Sequence, residues 1–274
     1  MSRIAQRFQE LRAANRAALI PYITAGDPEP GVTVGLMHAL VASGADMLEL
    51  GVPFSDPMAD GPVIQRATER ALAHNVSMHD VLGMVREFRT TDSVTPVILM
   101  GYLNPIEVLG YETFARAASE AGVDGVLTVD MPPEETAGYN DALQGASLDR
   151  IFLVSPTTPA RRVQAVAHQG SGFVYYVSLK GVTGARTLDV DDVAHHLEAL
   201  RGQIELPLGV GFGIRDAQSA GQVAAIADAV VVGSALVSLV EQHRQDVAMI
   251  RQSVGTLVSE MRDAMNAARA QNLS

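Results

Sequence analysis

Residues 96–129 read PVILMGYLNPIEVLGYETFARAASEAGVDGVLTV, and this stretch holds the pattern on which the fold prediction rests. It opens with a short apolar run, residues 96–100, and closes with another, residues 125–129. The segment between them carries an apolar stripe of helical period: Phe114, Ala117, Ala118 and Ala121. Gly122 is placed to end that helix, because glycine readily adopts the left-handed conformation common at helix C-termini. Short continuous apolar runs are typical of strands buried on both faces, so the stretch predicts a strand–helix–strand unit of a parallel sheet.

Similar apolar runs recur along the whole chain. They cover residues 19–24, 47–50, 96–100, 125–129, 151–154, 174–177, 207–210 and 229–232. Eight strands that alternate with helices over about 250 residues predict an α/β fold, a (β/α)₈ TIM barrel. The alternative is a doubly wound open sheet. The interval between the second and third runs has room for two helices, residues 63–74 and 79–90.

Both ends of the chain carry apolar stripes of helical period. The stripe at the start is Ile4, Phe8 and Leu11, and the stripe at the end is Ile250, Val254, Leu257, Met261 and Met265. We therefore expect an extra helix before the first strand and a helical C-terminus. Because no change of composition or linker-like stretch divides the sequence, we expect one domain over residues 1–274.

The composition excludes several classes of function. The 274 residues include 20 Lys and Arg, 31 Asp and Glu, and no Cys, with a formal net charge of -11. The absence of cysteine excludes disulfides, thiolate metal sites and cysteine nucleophiles. The acidic balance argues against a nucleic-acid partner. The sequence has no apolar run of about 18 residues and no secretory signal core at its start, so we expect a cytoplasmic protein without a membrane partner.

Two carboxylates follow one another at the predicted mouth of the barrel, where the C-terminal ends of the strands meet. Glu49 lies among apolar neighbours at the end of the second predicted strand. A carboxyl group in such surroundings has a raised pKa, which suits a group that both gives and takes protons near neutral pH. Asp60 lies in the following loop, where it has the alternative role of capping the next helix. The presence of both groups near one mouth favours a catalytic site.

Glycine-rich turns follow the last three predicted strands, at residues 181–184, 211–213 and 233–234. Backbone N–H groups in such turns bind anions, and the loops after strands seven and eight are a recurrent phosphate site in these barrels. Three cationic side chains lie nearby and would help to steer an anion: Lys180, Arg186 and Arg215. A phosphorylated substrate is therefore predicted.

The seven histidines fall in helical segments or at their margins, away from the predicted mouth. His195 and His196 are adjacent, so their side chains point in different directions on a helix. We interpret them as part of a solvated helix face and expect no metal site. Neither a G-x-G-x-x-G motif nor a P-loop occurs.

Residues 48–65, LELGVPFSDPMADGPVIQ, closely resemble the signature of the tryptophan synthase alpha chain family. The agreement extends to the segments after most of the other predicted strands: residues 24–28, 100–105, 130–132, 181–184, 211–214 and 233–234. The resemblance implies cleavage of indole-3-glycerol phosphate to indole and glyceraldehyde 3-phosphate, without a metal or organic cofactor. It also implies an alpha2beta2 complex in which the beta chain carries pyridoxal phosphate. Loop 53–60 and the segment around Asn104 would face that partner.

The resemblance also assigns roles to individual residues. Glu49 would be the acid–base group, Asp60 the partner of the indole N–H, and Tyr175 a phenol near the reacting glycerol. The implied substrate-binding residues are Tyr22, Phe212, Thr183, Gly184, Gly213, Gly233 and Ser234. The first two would flank the indole ring, and the last four would bind the phosphate. A loop at residues 179–190 would close over the substrate.

Two other readings remain open on the sequence. One is another phosphate-binding barrel enzyme, such as an isomerase or indole-glycerol-phosphate synthase. A synthase is expected to need a lysine inside the barrel, and the only lysine is Lys180, outside the predicted strands. The other is a catalytically weak alpha-like subunit that mainly activates a beta partner.

Overall fold

Eight parallel strands form a closed barrel in the computed structural model, which describes residues 1–178 and 189–271. The strands are β1 Ala18–Thr24, β2 Leu48–Gly51, β3 Val97–Gly101, β4 Gly125–Thr128, β5 Asp149–Val154, β6 Val174–Val177, β7 Leu208–Gly211 and β8 Ala229–Val232. Each strand pairs with the next, and β8 pairs with β1 through the register Ala18↔Ala229. The predicted (β/α)₈ barrel is confirmed, and the open-sheet alternative is wrong.

Helices surround the barrel and follow the predicted order. They are α1 Arg3–Ala13, α2 Thr33–Ala42, α3 Pro62–Ala73, α4 Met78–Arg89, α5 Leu103–Leu109, α6 Tyr111–Ala121, α7 Tyr139–Gly145, α8 Ala160–Gln169, α9 Val190–Arg201, α10 Ala217–Ala224, α11 Ser234–Gln242 and α12 Val247–Gln271. The predicted helices 63–74 and 79–90 are α3 and α4, each displaced by one residue. Gly122 ends α6 with a φ of 91°, as the sequence predicts. Among the described residues, no helix is long and apolar enough to cross a membrane.

Alternate residues of most strands contribute to two apolar cores. On β1, Leu19 and Ile23 pack outward against the helices, whereas Ala18 and Ile20 pack inside the barrel. All seven residues of β1 are therefore buried, which explains why its sequence lacks the polar alternation of a half-exposed strand.

The extra helix α1 closes the lower end of the barrel. Its buried residues Ile4, Phe8 and Leu11 belong to the interior core, and the ring of Phe8 lies 5.9 Å from that of Phe173. Because this end is filled with side chains, ligands have access from the opposite end, where the carboxyl ends of the strands meet.

Candidate active site

Glu49 is a buried carboxyl group that forms no ion pair with any of the residues that the structure describes. It lies on β2 with Tyr22 as its register partner on β1, and it is 1% exposed. Its Oε1 atom is buried and has no hydrogen-bond partner within the described residues. By contrast, the buried carboxylates Asp46 and Asp124 each bind an arginine, Arg262 and Arg89 respectively. Because buried polar atoms normally have partners, the free acceptor on Glu49 indicates a site that a ligand completes.

Burial raises the pKa of Glu49 to about 8, and the charge of Asp60 adds to this shift. A carboxyl group with this pKa is mostly protonated at neutral pH but ionises readily. It can donate a proton and then take one back. The raised pKa predicted from its apolar neighbours agrees with the structure.

Asp60 lies in the loop between β2 and α3. Gly61 is the N-cap of α3, and no side chain caps this helix in the residues described, so Asp60 does not have the alternative capping role. Burial raises the pKa of Asp60 to about 6, and a hydrogen bond with Tyr102 opposes the shift. Asp60 is therefore mostly ionised at pH 7, when Glu49 is mostly protonated. Two carboxyl groups with separated pKa values can take different catalytic roles.

Tyr102 is a site residue to which the sequence analysis gave no role. It follows β3, its hydroxyl accepts a hydrogen bond of 3.0 Å from the Ala59 N–H, and the same hydroxyl lowers the pKa of Asp60. The ring of Phe54 lies 5.3 Å from the Tyr102 ring. Tyr102 thus holds the Asp60 loop. Its place directly after a strand, at the barrel mouth, was the sequence signal for such a role.

Two buried phenols complete the interior of the mouth. The Tyr22 hydroxyl lies 3.3 Å from Thr24 Oγ1 and packs against Gly51, whereas the Tyr175 hydroxyl packs against Gly211. A Cβ atom at either glycine would overlap the phenol. Burial raises the pKa of both tyrosines, and the charge of Glu49 raises them further. Both hydroxyls therefore remain protonated and able to donate hydrogen bonds.

The turns after β7 and β8 form the candidate phosphate site. Gly233 is the N-cap of α11, and Ser234 is the first residue of this nine-residue helix. After β7, Phe212 and Gly213 both have left-handed backbones, with φ values of 78° and 77°. This conformation is rare for a bulky residue, and strained residues of this kind cluster at functional sites. Phe212 is 46% exposed at the mouth. A helix N-terminus beside a glycine turn provides N–H donors for an anion.

Some predicted residues are not covered. Residues 179–188 lie outside the described residues. They include four residues with predicted roles, Lys180, Thr183, Gly184 and Arg186, and most of the loop 179–190 that is predicted to close over the substrate. Arg215 lies beyond the β7 turn, where its Nε is 3.6 Å from Asp216 Oδ2.

The structure agrees only in part with the interpretation of His195 and His196 as a solvated helix face. His195 is exposed, but His196 is half-buried, and its ring centroid lies 6.1 Å from that of Tyr176. Its Nδ1 atom is 2.8 Å from the Asp192 carbonyl oxygen. Only one of the two residues therefore belongs to a solvated face. Across residues 1–178 and 189–271, no group of three His, Asp or Glu side chains is arranged to hold a metal ion.

Comparison with known proteins gives one consistent family. A family model described as tryptophan synthase alpha chain matches residues 8–266. The tryptophan synthase alpha chain of Thioalkalivibrio sulfidiphilus is 63% identical over 266 residues, which cover 97% of this chain and 100% of that protein. The crystal structure of tryptophan synthase subunit alpha from Legionella pneumophila has a TM-score of 0.92 at 50% identity, covering 97% of this chain and 99% of that one. Tryptophan synthase from M. tuberculosis, in its aminoacrylate-bound form, has a TM-score of 0.84 at 37% identity, with 96% and 100% covered. These matches extend over nearly the full length, and the chain belongs to the tryptophan synthase alpha chain family.

Proposed function

We propose that this chain cleaves indole-3-glycerol phosphate by a retro-aldol reaction, with Glu49 as the acid–base group. The observation that carries the proposal is the buried, unpartnered and largely protonated Glu49 carboxyl beside the ionised Asp60. A lyase that breaks a carbon–carbon bond next to an indole ring needs a proton donor and an anionic partner at the ring nitrogen.

In the proposed mechanism, Glu49 serves both proton transfers. It first donates its proton to C3 of the indole, and the ring nitrogen takes up positive charge, which the Asp60 carboxylate stabilises. The Glu49 carboxylate then removes the proton from the adjacent glycerol hydroxyl. The electrons of that O–H bond form the aldehyde carbonyl, and the carbon–carbon bond breaks. Its electron pair returns to the ring, restores the C2–C3 double bond and neutralises the ring nitrogen, which releases indole. Tyr175 donates a hydrogen bond near the glycerol, and Glu49 ends in its starting protonation state.

The substrate positions follow from the same geometry. We place the indole ring between Tyr22 and Phe212 and the phosphate at Gly213, Gly233 and Ser234. A Cβ atom on Gly233 would lie 3.6 Å from the Tyr22 side chain, so the proposed phosphate and indole positions adjoin. The described strands contain no lysine, which does not favour the synthase alternative.

The family also implies a beta-chain partner in an alpha2beta2 complex, with pyridoxal phosphate on the beta chain alone and a cytoplasmic location. Two exposed apolar side chains support a partner surface at the predicted place. Met58, in loop 53–60, is 82% exposed, and Val108, four residues after Asn104, is 80% exposed. Exposed apolar area marks protein interfaces when it is contiguous, and both side chains lie in or near the segments that the resemblance assigns to the beta-chain interface.

A direct assay tests the proposed function. We expect the purified chain to release indole from indole-3-glycerol phosphate, and to do so faster when a beta chain is added. Indole is measured by chromatography with fluorescence detection. A chain that stimulates the beta reaction without releasing indole would instead be a weak alpha-like subunit, and no turnover in either condition would refute the enzymatic reading.

Replacement of Tyr102 by phenylalanine should change the pH dependence of cleavage. The hydrogen bond from Tyr102 lowers the pKa of Asp60, so its loss raises that pKa above about 6. We expect the acidic limb of the kcat/KM profile to move to higher pH by about half to one unit. Tyr111→Phe is the matched control, because its hydroxyl donates to Glu107 over 2.8 Å at the surface. If the acidic limb does not move, Tyr102 does not set the pKa of Asp60.

A further inference from the structure

An ionic bridge joins two helices and a loop at the side of the barrel mouth. The guanidinium group of Arg70, on α3, donates to both carboxylate oxygens of Asp27, at 2.6 and 2.9 Å. Its remaining nitrogen, Nη1, donates to Glu241 on α11 over 3.0 Å. Arg66 also binds Glu241 with two hydrogen bonds, of 2.7 and 2.8 Å. Arg70 is the residue that contacts all three segments.

The three bridged segments each lead to a different part of the candidate site. The helix α3 begins at Pro62, directly after the loop that carries Asp60. The helix α11 begins at Ser234, in the proposed phosphate site. Asp27 follows β1, the strand of Tyr22, and is 3% exposed.

The same two helices enclose a side chain that is proposed to contact the indole. Tyr22 forms a small buried cluster with Ala67 of α3 and Val237 of α11. The separation of the two helices therefore sets the space around the Tyr22 ring. Since apolar contacts lack direction, a charged fork with fixed geometry defines this separation more sharply than the cluster alone.

We propose that Arg70 is a positioning residue that holds α11 against α3, so that the phosphate and the indole of one substrate are placed at a fixed separation. The part of the test that measures catalysis rests on the proposed function. Arg70 itself is not placed to contact the substrate, because all three of its nitrogen atoms face Asp27 or Glu241 and donate to them. It acts by transmitting the energy of phosphate binding to the placement of the ring beside Asp60 and Glu49.

Two variants break the bridge while keeping the local packing. Arg70→Lys keeps a positive charge near the buried Asp27 but lacks the planar fork that reaches two carboxylates. Glu241→Gln keeps the shape of the acceptor and removes its charge. Removal of the charge at position 70 is avoided, because it would leave Asp27 buried without a partner and threaten the fold.

The first measurement is independent of turnover. In the unmodified chain, we expect saturating inorganic phosphate to tighten the binding of indole by about fivefold, a typical coupling between two sites. In either variant, we expect this coupling to disappear, so that phosphate no longer changes the Kd for indole. The Kd for phosphate alone should change by less than about twofold. A weakened phosphate site would instead raise the Kd for phosphate.

The second measurement uses cleavage of indole-3-glycerol phosphate. We expect kcat to fall about tenfold in Arg70→Lys. The variant that carries both Arg70→Lys and Glu241→Gln should have a kcat within about twofold of that of Arg70→Lys, because both changes break the same bridge. Arg162→Lys is the matched control: this residue pairs with Glu134 over 3.1 Å, remote from α3 and α11, and should change neither quantity.

The outcomes distinguish this inference from the proposed function. Absence of phosphate–indole coupling in the unmodified chain, retained coupling in both variants, or a parallel loss of phosphate affinity would each overturn the role of Arg70. Absence of cleavage by the unmodified chain, with coupling present and lost on substitution, would refute the proposed function and leave the bridge supported.

Discussion

Glu49→Gln is expected to abolish the cleavage of indole-3-glycerol phosphate while leaving phosphate binding unchanged. Glutamine fits the same space but can neither donate the proton to indole C3 nor accept one from the glycerol hydroxyl. Acid–base catalysis by one positioned group is worth about 10²–10⁴-fold, and we expect a loss of at least about 10³-fold because Glu49 serves both transfers. Steady-state kcat and the Kd for inorganic phosphate measure the two parts of this prediction.

The stability of the same variant shows whether the loss is chemical. The pKa of Glu49 is about 8 in the folded chain and 4.5 as an ordinary glutamate, so ionisation opposes folding. The protonated form contributes its full stability below pH 4.5, and this contribution is lost as the pH rises through about 8. Glutamine does not ionise. The variant should therefore match the unmodified chain near pH 4 and exceed its Tm by about 10 °C near pH 8, since the shift from 4.5 to about 8 amounts to about 4 kcal/mol at that pH and each kcal/mol moves Tm by about 2–4 °C at this size.

Glu120→Gln provides the control for this experiment, because Glu120 is exposed on α6. It should change neither kcat nor the pH dependence of Tm. Near-normal cleavage by Glu49→Gln would remove Glu49 from the mechanism. A lower Tm of the variant at pH 8 would show that ionisation of Glu49 does not destabilise the folded chain.

The barrel could be predicted because its strands are buried on both faces. Each strand then appears as a continuous apolar run, and the predicted runs match the observed strands within two residues. The largest difference is at β5, which begins at Asp149 and not at residue 151. Asp149 and Arg150 are polar, and Asp149 accepts a hydrogen bond from Ser2 of the N-terminal segment. A tertiary partner of this kind lets polar residues start a buried strand, and no local pattern indicates it.

The candidate site shows the same division between local and distant information. The apolar neighbours of Glu49 are adjacent in sequence, so its raised pKa could be predicted. The bond between Arg70 and Glu241 joins residues 171 positions apart, and Tyr102 meets Ala59 across 43 positions. Neither pairing leaves a spacing or periodicity in the sequence. Such contacts arise from the closure of the barrel, which brings segments that are distant in sequence side by side.

Gly213→Val is expected to raise the KM for indole-3-glycerol phosphate and the Kd for inorganic phosphate in parallel. Gly213 has a φ of 77°, which a β-branched residue adopts only with strain of about 1–3 kcal/mol. The turn can relieve this strain by moving away from the phosphate position, and at 1.4 kcal/mol for each tenfold change the affinity would fall by about 10- to 100-fold. The value of kcat at saturating substrate should fall much less, because Glu49 and Asp60 lie on β2 and its loop. Steady-state kinetics and phosphate titration measure these quantities.

Gly138→Val separates backbone strain from loss of the phosphate site. Gly138 has a φ of 76°, nearly that of Gly213, and a Cβ atom there would meet no other atom within 4 Å. It precedes α7, so the same substitution places equal strain outside the β7 and β8 turns. We expect both variants to lose similar stability in thermal unfolding, but only Gly213→Val to change KM and the Kd for phosphate. If both variants lost phosphate affinity equally, the effect would come from general destabilisation. If neither did, the phosphate would bind away from the β7 turn, and the left-handed pair Phe212–Gly213 would have another purpose.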